Sequence, residues 1–389
     1  MRRKKICIVT GTRADYGLFY PLLKEIKGVK DFQIQIIATG MHLSPEFGLT
    51  YKEIEKDGFR IDDKVEMLLS SDSEAGIAKS TGLGIIGLAD SIGRLRPDII
   101  VLLGDRFETF SAATAATIAK IPIAHLHGGE STEGAIDEAM RHSITKMSHI
   151  HFTSTEEYRR RVIQLGENPK RVFNVGALGL DNIKNTRLLT KKELEKRLGF
   201  EFKKRNILVT YHPVTLERNT AGKQFGELLR AVDGLKDTGV IFTKPNADTY
   251  GRVIIGMMDR YAERHSDKAA AYTSLGRLLY LSAVKHADAV VGNSSSGIIE
   301  APSLGVPTVN IGERQRGRVR AESVMDCKPE AEAIALAIKK AFSGGMRELA
   351  ARMKNPYGGG TTAKKIAGIL RRVKLGEKLI MKRFYNIKN

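Results

Sequence analysis

The feature that most narrows the fold is a recurring unit. A short, almost unbroken apolar run stops at Gly or a polar residue, and a stretch with helical spacing follows. In the first half the runs are KICIVTG, QIQIIATG, PDIIVLLGD, IPIAHLHGG, HIHFTS and RVFNVG. Between them lie segments such as LFYPLLKEI, where Leu18, Leu22 and Ile26 recur at the spacing of one helix face. Strands that are apolar throughout must be covered on both faces, so the alternation calls for a parallel sheet between helices. Around Gly176–Asn185 (GALGLDNIKN) the alternation pauses, and it restarts with NILVTYHP, GVIFTK, DAVVGNSSSG and VPTVNIG. The expected fold is α/β: two doubly wound Rossmann-like domains, residues 1–180 and 181–365, facing each other across a cleft. A helical tail starts near Thr362, and its last part, about 366–389, is expected to pack back on the first domain.

The 389 residues, 42% of them hydrophobic, suffice for two full cores. No apolar run approaches the roughly 20 residues needed to cross a bilayer. The basic start MRRKK precedes an apolar stretch that ends after a few residues in GTRAD, which makes a first strand and not a leader. Cys7 and Cys327 are far apart and form no disulfide framework or metal motif, so a cytoplasmic protein is expected. The formal charge of +19 raises nucleic acid, anionic lipid and anionic small substrates as partners. The basic runs at Arg2–Lys5, Arg159–Arg161 and Lys203–Arg205 lack interleaved aromatics, and there is no Trp to stack on bases. Most of this charge reads as solvated surface, with an anionic ligand in a cleft as its remaining use.

Ligands of open parallel sheets bind beyond the carboxyl ends of the strands. Eight polar clusters fall at such ends: GTRAD, GMHLS, GDRFE and HGGE in the first half, then YHPVT, TKPNAD, GNSSSG and GERQRGR. In the second half, GNSSSGIIEAPSLG is a strand-to-helix junction where backbone N–H groups and the positive helix end can hold phosphate. Ser294 and Ser295 add hydroxyls there and Glu300 can accept from a ribose, although an ordinary Ser N-cap explains the serines equally well. His212 is either a phosphate donor or a histidine in a surface turn. One or two of Arg314, Arg316, Arg318 and Arg320 can neutralise a diphosphate. With no GxxxxGK[ST] loop, the pattern indicates a nucleotide but not an ATPase.

The first half carries the groups for chemistry. Asp105 follows the apolar run IIVLLG, Glu130 follows two glycines after the next strand, and Asp137 and Glu138 open a helical pattern. Carboxylates converging on one site suit proton transfer at carbon, because burial and mutual repulsion separate them into acid and base. Asp137 and Glu138 also suit a helix start, with Arg141 and His142 four residues on as ion partners. His125 and His127, on one face if the strand continues, can ligate a metal together with Glu130. The surrounding bases and the lack of a Cys or HExxH motif argue for no metal and no cofactor. His149 and His151 repeat the same spacing.

With GTRAD, GDRFE, HGGE, HPVT, GNSSSG and RQRGR in order, the whole chain resembles the UDP-N-acetylglucosamine 2-epimerase family. GTRAD in place of GTRPE is similar to the hydrolysing branch used in sialic-acid-type nonulosonate synthesis. The resemblance implies a glycosyltransferase-B-like fold, metal-independent anti-elimination of UDP, and addition of water with inversion at C2. It assigns Asp105, Glu130, Asp137 and His127 to acid–base work and Arg13 to the diphosphate. Asp15, as an orienter of Arg13 or of a sugar hydroxyl, His42 and Arg106 join the substrate site; His212, Asn246, Ser294, Ser295, Glu300 and Arg318 join the UDP site. The family pattern HxE has Glu where this chain has His127, so either His127 does that work or Glu130 takes it over. The expected partner is a UDP-sugar, or a GDP-sugar, with UDP-N-acetylglucosamine and UDP-2,4-diacetamido-2,4,6-trideoxyglucose as candidates. A homodimer or homotetramer is implied, and no nucleic acid or membrane. A non-hydrolysing epimerase, a glycosyltransferase of the same fold and a non-catalytic nucleotide-sugar binder are the alternatives.

Overall fold

The computed structural model describes residues 3–217, 220–245 and 250–387. The chain folds as two compact units: residues 1–130, 136–182 and 357–389 form the first, and 131–135 with 183–356 form the second. It thus returns to the first unit at Tyr357, and five residues, Ser131–Ala135, belong to the second.

The first unit is built on strands β1 (Lys4–Thr10), β2 (Phe32–Thr39), β3 (Asp63–Val65), β4 (Ile99–Leu103), β5 (Ile123–Leu126), β6 (Ile150–Thr153) and β7 (Val172–Asn174). They form one parallel sheet in the order β3-β2-β1-β4-β5-β6-β7. The period of two along β1 shows why the run had to be apolar throughout. Ile6 and Ile8 join a core with the helices Arg13–Lys27 and Thr362–Arg372, through residues such as Phe19, Leu22 and Ile366. Cys7 and Val9 point the other way, into a core with the helices Glu74–Leu95 and Phe107–Ile118, through Leu88, Ile92 and Ala112.

The second unit repeats the plan with β8 (Arg205–Thr210), β9 (Thr238–Thr243), β10 (Ala269–Tyr272), β11 (Ala289–Gly292), β12 (Thr308–Ile311) and β13 (Val324–Cys327). These pair in parallel in the order β10-β9-β8-β11-β12-β13. Ile207 and Val209 face one core, and Leu208 faces the other. In each sheet the strand order reverses beside the first strand laid down, β1 or β8, which is where such sheets open a crevice at their carboxyl ends. Among the described residues no helix is long and apolar enough to cross a membrane.

Candidate functional site

The register of β4, β5 and β6 sets the site of the first unit. Leu103 pairs with Leu126, and Leu126 with Phe152, so the three strands end side by side. Backbone bonds from Gly104 N to Leu126 O (3.0 Å) and from His127 N to Phe152 O (2.9 Å) extend the ladder just past those ends. Asp105, His127 and Ser154 therefore leave from adjacent strand ends.

The middle turn is the most constrained. His127 has φ +65° and Gly129 φ +78°, a region that residues with a Cβ seldom enter but His visits more than most. Strand β5 has thus ended before His127, and the shared face expected for His125 and His127 does not exist. His125 points inward, with Nε2 2.7 Å from Gly104 O and Nδ1 3.2 Å from Thr145 Oγ1. Complete burial pushes its pKa down to about 3, so it is a neutral structural residue. His149 and His151 also lie away from this site. His149 Nδ1 accepts from Ile123 N–H at the amino end of β5, and His151 meets Glu167 at 3.1 Å. Among the described residues no three His, Cys, Asp or Glu side chains converge as a metal site would require.

His127 turns its Nδ1 to Glu130 Oε1 at 2.8 Å, and Ser154 Oγ donates to the same oxygen at 2.7 Å. The Glu130 side chain is only 2% exposed. Arg141, fully buried on the helix Asp137–Met147, braces the surroundings. Its guanidinium donates to Asp105, to Glu138 at 2.6 Å and to the carbonyl of Glu130 at 2.9 Å. Glu138 also meets His142 at 3.0 Å, and these two ion pairs lie within its own helix. Asp137 is the first residue of that helix and is half-buried.

The loop after β1 is organised by Asp15. Thr12 is the N-cap of the helix Arg13–Lys27 and Asp15 closes a capping box with it. The carboxylate accepts from the backbone N–H of Gly11, Thr12 and Tyr16 and from the hydroxyls of Thr10 and Thr12, all at 2.8–2.9 Å. Asp15 thus holds the loop, with four of these bonds on Oδ1 and one, from Gly11, on Oδ2. Arg13 stands at the first helical position, half-buried. His42 is also part of the scaffold. Thr10 donates to Asp15, so it must accept from His42 Nε2–H (3.0 Å), leaving His42 Nδ1 to accept from Thr50 (2.8 Å). Burial lowers its pKa to about 4, in keeping with a neutral ring.

Two residues that the sequence does not single out complete this region. Its spacing offers Arg141 only as an ion partner within its own helix, and nothing marks Glu108, the last residue of GDRFE. Glu108 lies buried under Gly11 and Gly40, where an added Cβ would come within 2.9 Å of its side chain, and it is paired with Arg106 at 3.1 Å. Burial raises its pKa, against the opposing pull of Arg106. Arg106 is thereby engaged with a carboxylate of its own helix start.

In the second unit, Asn293 links two strand ends: His212 N–H donates to its side chain at 2.7 Å and its amide donates back to His212 O at 2.8 Å. His212 is buried there and not in a surface turn. Ser294 is the N-cap of the helix Ser295–Ser303, and Glu300 sits buried on that helix. The Asn293 carbonyl accepts from Arg314 (3.1 Å) and Gln315 (2.8 Å), which folds the ERQRGR loop over the helix start. Arg316 makes an exposed ion pair with Glu133 at 3.1 Å, and Arg320 pairs with Asp326. Arg318 is half-buried on the same loop. Ser296 Oγ, Gln315 Oε1 and Arg314 Nε are buried without a hydrogen-bond partner among the described residues. Of these, the Arg314 Nε–H and the Ser296 hydroxyl, beside a helix N-terminus, can donate to an anionic polar ligand, and Gln315 Oε1 can accept from one of its hydroxyls. Asn246 lies outside the described residues.

Two all-parallel α/β units with polar groups gathered at their strand ends define the glycosyltransferase-B-like class. The same fold occurs in the crystal structure of the Neisseria meningitidis UDP-GlcNAc 2-epimerase bound to UDP-GlcNAc, with TM-score 0.77 and 20% identity over 95% of this chain and all of that one. Residues 24–371 match the family described as UDP-N-acetylglucosamine 2-epimerase, and the chain belongs to that family. It is 48% identical to the GDP/UDP-N,N'-diacetylbacillosamine 2-epimerase (hydrolyzing) of Campylobacter jejuni, over 84% of this chain and 85% of that protein. It is 36% identical to the UDP-N,N'-diacetylbacillosamine 2-epimerase (hydrolyzing) of Legionella pneumophila, over 97% and 98% of the two.

Proposed function

We propose that this protein is a hydrolysing 2-epimerase that converts a UDP-linked N-acetylated gluco-sugar into the free manno-configured sugar and UDP. The favoured substrate is UDP-N,N'-diacetylbacillosamine, the 2,4-diacetamido-2,4,6-trideoxyglucose, with UDP-N-acetylglucosamine second. The observation that carries the reading is the set of proton-transfer groups on adjacent strand ends, Asp105 braced by Arg141 beside His127 paired with Glu130. The names of the relatives at 48% and 36% identity support the choice of sugar.

The chemistry needs no group beyond those side chains and water. A base takes the proton from C2, the C–H pair becomes the C1–C2 double bond, and the C1–O bond breaks with its electrons leaving on UDP. Water then adds across the double bond: its oxygen goes to C1, and a proton is delivered to C2 from the opposite face. Two groups are required, one accepting and one donating, which the cluster around Arg141 provides. The second unit would hold UDP through the helix start at Ser294–Ser296, with His212, Glu300 and Arg318 around it; in the first unit, Arg13 is the cation proposed for binding the anionic part of the substrate.

Proton NMR of each UDP-sugar with the purified protein in D2O tests this. Free manno-configured sugar deuterated at C2, with released UDP, is the expected result, and the faster substrate identifies the sugar. Deuterated sugar still joined to UDP would make the enzyme non-hydrolysing. No exchange with either, or turnover only of a GDP-sugar, would overturn the proposal as stated.

A further inference from the structure

His127 and Glu130 both belong to the candidate site, yet their geometry gives them unequal parts. Glu130 is held through one carboxylate oxygen and through its backbone. Its Oε1 accepts from His127 Nδ1 and from Ser154, its backbone carbonyl accepts from Arg141, and its side chain is nearly sealed from solvent. The side chain of His127 is more open, at 10%, and its Nε2 is buried without a hydrogen-bond partner among the described residues. With Nδ1–H donated to a carboxylate, Nε2 carries the ring's lone pair.

The backbone has been shaped to give this arrangement. His127 occupies a left-handed conformation, an uncommon state for a residue with a side chain, and such states persist where the surroundings enforce them. The next two residues are glycines, of which Gly129 leaves no room for a side chain and Gly128 leaves little. A Cβ on Gly128 would lie 3.0 Å from both His125 Nδ1 and Thr145 Oγ1, and one on Gly129 would lie 2.5 Å from Tyr158 O. Arg161 pins the turn further by donating to Gly129 O at 2.7 Å.

From this geometry we infer that His127 is the base that takes the C2 proton on Nε2, and that Glu130 is a positioning residue that fixes the ring and its tautomer. The inference rests on the epimerase reading above. In the step, the proton moves to Nε2, the C–H pair enters the C1–C2 double bond, UDP departs with the C1–O pair, and the imidazolium is stabilised by Glu130. Ser154 holds Glu130 in turn. A carboxylate at position 127 would sit against Glu130 and repel it, so the pairing accounts for a histidine here in place of the HxE glutamate.

Two measurements decide the matter. In the wild-type protein, imidazole ¹⁵N NMR should show His127 protonated at Nδ1 and bare at Nε2, and Glu130→Leu should shift it towards the Nε2–H tautomer. A purely structural role for Glu130 would not move that signal. In steady-state turnover, His127→Gln should lower kcat for UDP release by about 10²–10⁴-fold, the usual range for a lost acid–base group. Glu130→Gln, which still offers an amide oxygen to Nδ1, should lose about tenfold. Far-UV circular dichroism and thermal melting would check that each variant is folded. Wild-type His127 found protonated at Nε2 would overturn the assignment. So would a His127→Gln enzyme within tenfold of wild type, or one that releases UDP normally and stalls at the unsaturated sugar. If the wild type itself releases no UDP from either sugar, the epimerase reading falls and takes this assignment with it; if it turns over, only the roles of His127 and Glu130 are in question.

Discussion

Two glycines of the first unit form a matched pair for measuring what the His127–Glu130 turn costs to disturb. Gly104 (φ +77°) and Gly129 (φ +78°) have nearly the same backbone conformation. An added Cβ at Gly104 meets nothing within 4 Å, whereas at Gly129 it would lie 2.5 Å from Tyr158 O and 2.8 Å from Val162 Cγ2. Gly104→Ala therefore carries only the left-handed penalty, about 1–2 kcal/mol. Gly129→Ala carries the same penalty plus overpacking of about 1–3 kcal/mol. Relief requires the turn to move about half an ångström away from the Tyr158 carbonyl, because Cβ contacts under 3.0 Å are essentially never seen.

That movement has nowhere to go except into the neighbouring residues of the turn, His127 and Glu130. A misplacement approaching 1 Å at a catalytic group costs about 10²-fold in rate. Thermal melting should place Gly129→Ala below Gly104→Ala by about 2–4 °C for each extra kcal/mol, the scale for a unit of this size. UDP release should fall by one to two orders of magnitude, about 10–10²-fold, in Gly129→Ala alone. If the two variants melt within a degree of each other and Gly129→Ala turns over normally, the turn does not position the pair as described.

Asp105→Asn should abolish turnover while circular dichroism stays native, because Arg141 keeps Glu138 and the Glu130 carbonyl as partners. Arg13→Ala should raise KM for the UDP-sugar more than it lowers kcat, and a pure kcat loss would contradict a binding role. Arg141→Met leaves Asp105 and Glu138 beside each other without their shared cation; a loss of about 3–5 kcal/mol, measured by urea denaturation, is expected from breaking a buried pair. Stability should fall as pH drops from about 6.5 towards 4. Burial depresses the folded-state pKa values of His42 and His149 to about 4 and of His125 to about 3, so the unfolded chain binds protons first. Each such histidine contributes a slope of up to about 1.4 kcal/mol per pH unit in that window. At Glu167 burial is outweighed by hydrogen bonds from His151, Lys146 and Lys382, which lower its pKa to about 2 and extend the loss below pH 4.5. A melting temperature constant from pH 7 to pH 4.5 would contradict the burial of neutral histidines.

What was legible in the sequence was whatever a strand declares by itself. The ten apolar runs are all strands, and all but the edge strand β7 are largely buried on both faces; Asp105 and His127 could be placed at strand ends because a polar residue there interrupts an otherwise continuous pattern. The three strands that no apolar run announces, β3, β10 and β13, are short edge strands with at most one buried residue each (DKV, AAAY, VMDC), so burial left little mark on their composition. The site was hidden for a different reason. Thr12 and Asp15 have the spacing of a capping box, so four letters are enough to make Asp15 a loop residue. No spacing rule brings Arg141 to Asp105, 36 residues away, or slides Glu108 under Gly11 and Gly40. Those contacts depend on neighbouring strands ending in register. Strand alternation gave the wrong face for His127 because the left-handed turn there is imposed by Tyr158 and Val162 packing against Gly129, from a helix about 30 residues further on. The two glycines were the available signal: a pair of them immediately after a strand-end histidine means that the chain must turn where a side chain would not fit, and strand faces cannot be extrapolated past them.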